Sequence, residues 1–219
     1  MTTALPLGLR NRLAELILDA FDDRGARRTL EALAAFCRSM QGQVGAEAAA
    51  RLTALGWFEA AGPDRVGLLG AHRAHVDALC RRTAAAVAML GSRPAPPGGE
   101  SLAGLLARAA LLADAGLYFE VHELLEPAWM RAEGAERVAL QGLIQIAVAF
   151  HHASSGNREG AISLMSEGLA KLGAAGSVLP LDTAAWTRAL AGRLAAWREE
   201  SPPPPGPDWP RPQTAWRSS

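Results

Sequence analysis

The sequence predicts an all-α fold: an irregular bundle of helical hairpins, tetratricopeptide-like in pattern. An N-terminal helical segment of winged-helix-like order, with one short β-hairpin, precedes it. Three observations carry this prediction. Apolar residues recur at helical spacing through most of the 219 residues. Short glycine-bearing turns separate the periodic runs. One stretch alone, at 57–69, reads as a turn between two short β-prone segments.

Taken in order, the N-terminal segment (1–92) holds helices at about 8–23, 27–40, 46–55 and 71–90. Between the last two lies WFEAAGPDRVGLL. Trp57 and Phe58, then Gly62-Pro63-Asp64, then Val66, Leu68 and Leu69 predict the hairpin. Three helices followed by a hairpin is the order of a winged helix. The run GSRPAPPGG from Gly91 to Gly99 cannot continue a helix and marks residues 93–100 as a linker. The second region (101–200) holds five helices, at about 101–115, 118–131, 136–154, 158–172 and 182–199. A shift of about 40 residues superposes Ala113–Gly116 on Ala153–Gly156, and Val121, Leu124 and Leu125 on Ala161, Leu164 and Met165. Two hairpins with similar turns are its physical content. The tail, 201–219, is proline-rich and is expected to be extended or disordered; packing of Trp209 or Trp216 onto the domain surface is favoured over a role as a partner's ligand.

Composition excludes several classes. Basic and acidic residues balance at 22 each. Up to Arg93 there are 12 arginines against 9 acids, and beyond it 10 basic residues against 13 acids, too small an asymmetry to imply a polyanion partner. The longest apolar run, VALQGLIQIAVAF, carries two glutamines and falls short of the ~20 residues that span a bilayer. No membrane partner and no targeting segment are expected. Cys37 and Cys80 lack metal-ligand spacing and do not make a disulfide framework, so a reducing cytoplasm is the expected location.

Specific chemistry concentrates between Gly116 and Leu172. On the helix at 118–131, Phe119, His122, Glu123, Glu126 and Trp129 share roughly one third of the circumference. Leu117, Val121, Leu124, Leu125 and Ala128 take the opposite side, and Glu120, Pro127 and Arg131 the remaining sector. On the following helix Gln141, Gln145 and His152 fall within about 40° of one another on an otherwise apolar rod. Polar groups on buried helices need partners. The two polar seams are therefore expected to face each other, with Glu126 accepting from His122 or His152 and Gln141 and Gln145 bridging helices. His151 lies outside this stripe and reads as a boundary residue; His72 and His75 read as surface residues.

His122-Glu123-Leu124-Leu125-Glu126 has the form HExxE. A zinc peptidase helix would place a second histidine where Glu126 stands and use Glu123 as base. His122, Glu126 and His152 could supply three metal ligands and leave a position for water. The Glu-x-x-His pattern of a diiron bundle is absent, since Phe119 precedes His122 by three, and no serine has a nucleophile-elbow setting. In the N-terminal segment, the helix AEAAARLTAL offers only Arg51 and Thr53 to nucleic acid, which leaves a packing module favoured over DNA binding.

Three motifs, in order, resemble one family. They are GLYFEVHELLEPAW with His122, Glu123, Glu126 and Trp129; QGLIQIAVAFHH with Gln141, Gly142, Gln145 and His152; and GNREGAISLMSEGLAKL with Gly156, Asn157, Gly160 and Ala161. Residues 105–172, about a third of the chain, resemble domain-of-unknown-function family 309, small all-helical proteins of bacteria and plants. The resemblance implies an α-helical fold and marks these polar residues as family features, but brings no established activity. Pro127 departs from the helix-forming residue usual at its place. The function expected is that of a non-enzymatic helical packing or protein-interaction module, with a His/Glu/Gln network between hairpins and a protein partner or self-association. No cofactor is required by this reading. The alternatives are a divalent-metal-binding protein or hydrolase using His122, Glu126 and His152, and DNA binding through Arg51.

Overall fold

The computed structural model describes residues 5–39, 41–92, 101–200, 209, 210 and 212. The predicted linker 93–100, most of the proline-rich tail and Trp216 lie outside these residues. The chain divides between Ala95 and Pro96 into two compact units. Among the described residues the architecture is all-α with a single two-stranded antiparallel sheet. None of their helices is long and apolar enough to cross a membrane.

The N-terminal unit runs α1 (Leu7–Asp19), α2 (Arg24–Arg38), α3 (Ala46–Ala54), β1 (Phe58–Ala60), β2 (Val66–Leu68) and α4 (Val76–Ser92). Asp23 starts α2 by accepting from the Gly25 amide at 2.6 Å, supplying an acceptor to one of the four orphan N–H groups of a helix start. Leu13, Ile17, Leu30, Leu33, Leu52 and Leu79 are fully buried and form its core. In the hairpin Phe58 stands opposite Leu68 and Ala60 opposite Val66. Phe58, Val66 and Leu68 face inward, as the period of two requires. Gly42, with φ +71°, lies so close that a Cβ there would stand 2.1 Å from the Val66 carbonyl oxygen, so no side chain fits.

Two expectations for this unit need correction. The helix predicted from 71 begins instead as a 3-10 turn, Gly70–His75, before α4. The chain leaves β2 there, and Arg73 Nε donates back to the Leu68 carbonyl at 3.0 Å. His72 and His75 consequently sit half-buried, with their Nδ1 atoms enclosed, rather than on the open surface. The two cysteines also form a disulfide, contrary to the expectation from their spacing. Cys37 of α2 and Cys80 of α4 are bonded, with Cα atoms 5.4 Å apart. Two helices distant in sequence bring them together, which spacing along the chain could not reveal.

The C-terminal unit runs α5 (Leu102–Asp114), α6 (Tyr118–Arg131), α7 (Gly134–Ser154), α8 (Arg158–Ala175) and α9 (Ala184–Arg198), with consecutive helices packed on one another. The echo at 40 residues is one turn used twice. Gly116 (φ +71°) and Gly156 (φ +81°) end their helices in left-handed geometry. Leu117 N then donates to Leu112 O at 2.9 Å, and Asn157 N to His152 O at 2.9 Å. This is the Schellman pattern that satisfies the last carbonyls of a helix.

Arginines close two other helix ends. Arg137 of α7 donates to the carbonyls of Trp129 (3.0 Å), Met130 (3.2 Å) and Ala132 (3.4 Å) at the end of α6. Arg158 of α8 donates through Nε to the Trp197 carbonyl at 2.7 Å and pairs with Glu200 beyond α9. Both place a cation at the negative end of a helix dipole. Pro127 leaves α6 unbroken to Arg131, although it offers no N–H to the Glu123 carbonyl.

The tightest approach is between α7 and α8. A Cβ on Gly142 would lie 2.9 Å from the Gly168 carbonyl oxygen; one on Gly168 would lie 2.8 Å from the Gly142 oxygen and 2.7 Å from Ile146 Cγ1. The two backbones thus meet with no side chain between them. Across α6, α7 and α9, Tyr118 stacks on Phe150 (5.0 Å), Phe150 meets Trp197 edge-on (6.0 Å), and the Arg193 guanidinium lies 5.6 Å from the Phe150 ring. Trp209 is buried against Trp186 at 4.8 Å, so this tail tryptophan does pack onto the domain.

Gly168→Ala is expected to lower stability by about 1–3 kcal/mol, because the backbone oxygen it meets cannot move aside. Gly173→Ala, on the same helix with no atom within 4 Å of its Cβ, is expected to raise stability by up to ~1 kcal/mol. Thermal unfolding of the two variants should therefore shift in opposite directions. Burial holds the Tyr118 phenol above the ordinary tyrosine range, with Arg193 opposing and Asp114 adding to the effect. A phenol raised in the folded state contributes stability below its unfolded value and loses it as pH rises through the folded value. Tyr118 is the only tyrosine, so phenolate absorbance should show one titration in the alkaline range that moves downward on unfolding.

Candidate metal centre

The site begins with one turn of α6. Positions i, i+1 and i+4 of a helix share a face, and here they are His122, Glu123 and Glu126. Each offers one ligand atom, and these atoms all lie within 4.8 Å of one another. His122 and Glu123 side chains are each 27% exposed. His122 Nδ1 and Glu123 Oε1 are 3.0 Å apart. With the carboxylate as acceptor, this contact uses the Nδ1–H of the imidazole. The Phe119 ring, 6.0 Å from His122, walls one side of the cluster.

The remaining polar residues are not drawn into this centre. Gln145 Nε2 donates to Glu167 Oε2 of α8 at 2.7 Å. Asn157 Nδ2 donates to His152 Nδ1 at 2.9 Å, while Asn157 Oδ1 accepts from the Gly160 amide at 3.0 Å and caps α8. His152 thus holds the N-cap of α8. It does not stand with His122 and Glu126 in the ligand group, where Glu123 takes the third place. Gln141 is half-buried on α7, and among the described residues no side-chain bond carries it to α6. Trp129 is half-buried one turn beyond Glu126, its ring 4.6 Å from the Arg137 guanidinium and its Nε1–H enclosed without a hydrogen-bond partner. The expected meeting of the two polar seams is therefore replaced by two separate arrangements, one on α6 and one between α7 and α8.

His151, read from the sequence as a boundary residue, is the α7 histidine that reaches α6: its ring lies 6.0 Å from Phe119. Glu120, in the remaining sector of the α6 wheel, is fully buried. Glu120 and Arg108 of the adjacent α5 are the charged side chains buried among the described residues, and neither lacks a partner. The available signal was angular, since Glu120 lies within about 60° of Leu117 and Leu124 on the wheel. Ionised groups in such surroundings need compensation, and this makes them elements of packing.

The three ligands fit a metal in kind, one imidazole nitrogen and two carboxylate oxygens. Donors held 2.0–2.2 Å from a tetrahedral ion stand about 3.4 Å apart. In the structure the three ligand atoms lie within 4.8 Å of one another. In the N-terminal unit, by contrast, Arg51 is paired to Glu47 on its own helix at 3.1 Å, and Arg65 of the hairpin donates to the Gln41 carbonyl at 3.2 Å. Those contacts lend nucleic-acid binding no support.

No curated protein and no solved structure gives a significant match to this chain. Residues 106–164, a segment that contains His122, Glu123 and Glu126 together with the α7 helix, match the family model of a domain of unknown function, DUF309.

Proposed function

We propose that the C-terminal unit binds a divalent transition-metal ion through His122, Glu123 and Glu126. The observation that carries this reading is the convergence of their three ligand atoms within 4.8 Å on one turn of α6. An imidazole with two carboxylates suits zinc, manganese or ferrous iron. With Glu123 among the ligands, that turn retains no carboxylate to act as general base, which favours binding over hydrolysis. Gln145 and His152 belong in this reading to the scaffold, since their bonds join α7 to α8.

A protein-interaction role for the same unit is the second reading. Met130, 62% exposed at the end of α6 beside half-buried Trp129, favours it, as methionine with an aromatic neighbour suits an adaptable contact.

Calorimetric titration of chelator-treated protein with zinc should show a single saturable site. His122→Ala and Glu126→Ala should each weaken it at least tenfold, whereas His152→Ala should leave the affinity within about twofold. Absence of saturable binding, or binding indifferent to His122→Ala, would sink the metal reading. If Met130 lies in a self-association surface, sedimentation should show an oligomer that Met130→Asp dissociates; a monomer at all concentrations removes self-association.

A further inference from the structure

We propose that the Cys37–Cys80 disulfide is a redox-sensitive clamp on the N-terminal unit, opened by low-molecular-weight thiols. The bond joins the last turn of α2 to α4 across 43 residues of sequence. That span encloses α3 and both strands of the hairpin. Both cysteines are half-buried, within reach of a small reductant rather than sealed in the core. Arg38 adjoins Cys37, Arg81 and Arg82 follow Cys80, and Asp77 stands one turn before Cys80 on α4. A reductant thiolate that reaches either sulfur displaces the other through a mixed disulfide.

What the clamp secures follows from its neighbours. Phe36, beside Cys37, packs edge-on against Phe58 of β1 at 4.7 Å. Ser39, two residues on, accepts from the Gln43 amide at 2.8 Å, and Gln43 bonds Asp64 of the hairpin turn at 3.0 Å. The end of α2 is thus the point from which both α3 and the hairpin are held, and the disulfide fixes that end to α4. Reduction is a balanced exchange. Two thiols of the reductant form one disulfide, two electrons pass to the Cys37–Cys80 bond, and each cysteine sulfur takes up a proton. Opening a cross-link that closes 43 residues returns conformational entropy to the unfolded chain, worth on the order of a thousandfold in the unfolding equilibrium of the unit.

Amide hydrogen exchange on the full chain, oxidised and then reduced with dithiothreitol, tests this. The expected result is a rise of at least tenfold in exchange across α2, α3, the hairpin and α4 on reduction, with α7 and α8 unchanged, and reversal on reoxidation. Maleimide should label neither cysteine before reduction and both after it. The Cys37→Ser/Cys80→Ser double variant should exchange like the reduced protein and ignore dithiothreitol. Should that variant not fold, the reduced wild-type chain supplies the same comparison. Labelling of both thiols without reductant, or equal exchange in the two redox states, overturns the proposal. So does a change spread equally over both units.

Discussion

The bare meeting of α7 and α8 at Gly142 and Gly168 governs much of the C-terminal unit. Where two helices touch without side chains between them, their relative rotation is set by sterics rather than by hydrogen bonding. Gln145 lies within about 60° of Gly142 on the wheel. Once Gly142 is pressed against α8, the amide must face α8 too, and there it finds Glu167. The polar stripe of α7 is thus committed to one neighbour before any attraction from α6 can act. Polar satisfaction follows the packing here; it does not direct it.

The consequence for α6 is chemical. Its His122, Glu123 and Glu126 are left to one another, with no polar partner drawn from the stripe on α7. Three ionisable groups on one turn would repel or compete if all were carboxylates. The imidazole changes that, since its Nδ1 hydrogen-bonds to Glu123 Oε1. The Phe119 ring stands between two histidines, 6.0 Å from the rings of both His122 and His151.

Helix ends show the same economy. The last four carbonyls of an α-helix have no intrahelical donors. The hairpin turns at Gly116 and Gly156 close theirs with backbone amides. Beyond α6 and α9 the task falls to Arg137 and Arg158, each reaching from the first turn of another helix. These arginines resemble ordinary solvated charges in the sequence, since nothing local distinguishes a capping guanidinium from an exposed one. In the N-terminal unit the disulfide is equally silent in sequence, because two cysteines 43 residues apart reveal nothing about whether α2 and α4 are neighbours.

What the amino acids determined by themselves is local. Helical spacing, the glycine turns at 116 and 156, the β-prone segments around Gly62-Pro63-Asp64 and the grouping of His122, Glu123 and Glu126 on one face all follow from chain geometry within a few residues. Tertiary structure alone decided which face meets which neighbour. It sent Gln145 and His152 to α8, brought His151 rather than His152 towards Phe119, buried Glu120 and joined Cys37 to Cys80. The physical reason is that a helical wheel records the angle of a residue about its own axis. The rotation of that axis against another depends on close contacts such as Gly142 with Gly168, whose two members stand far apart in the chain.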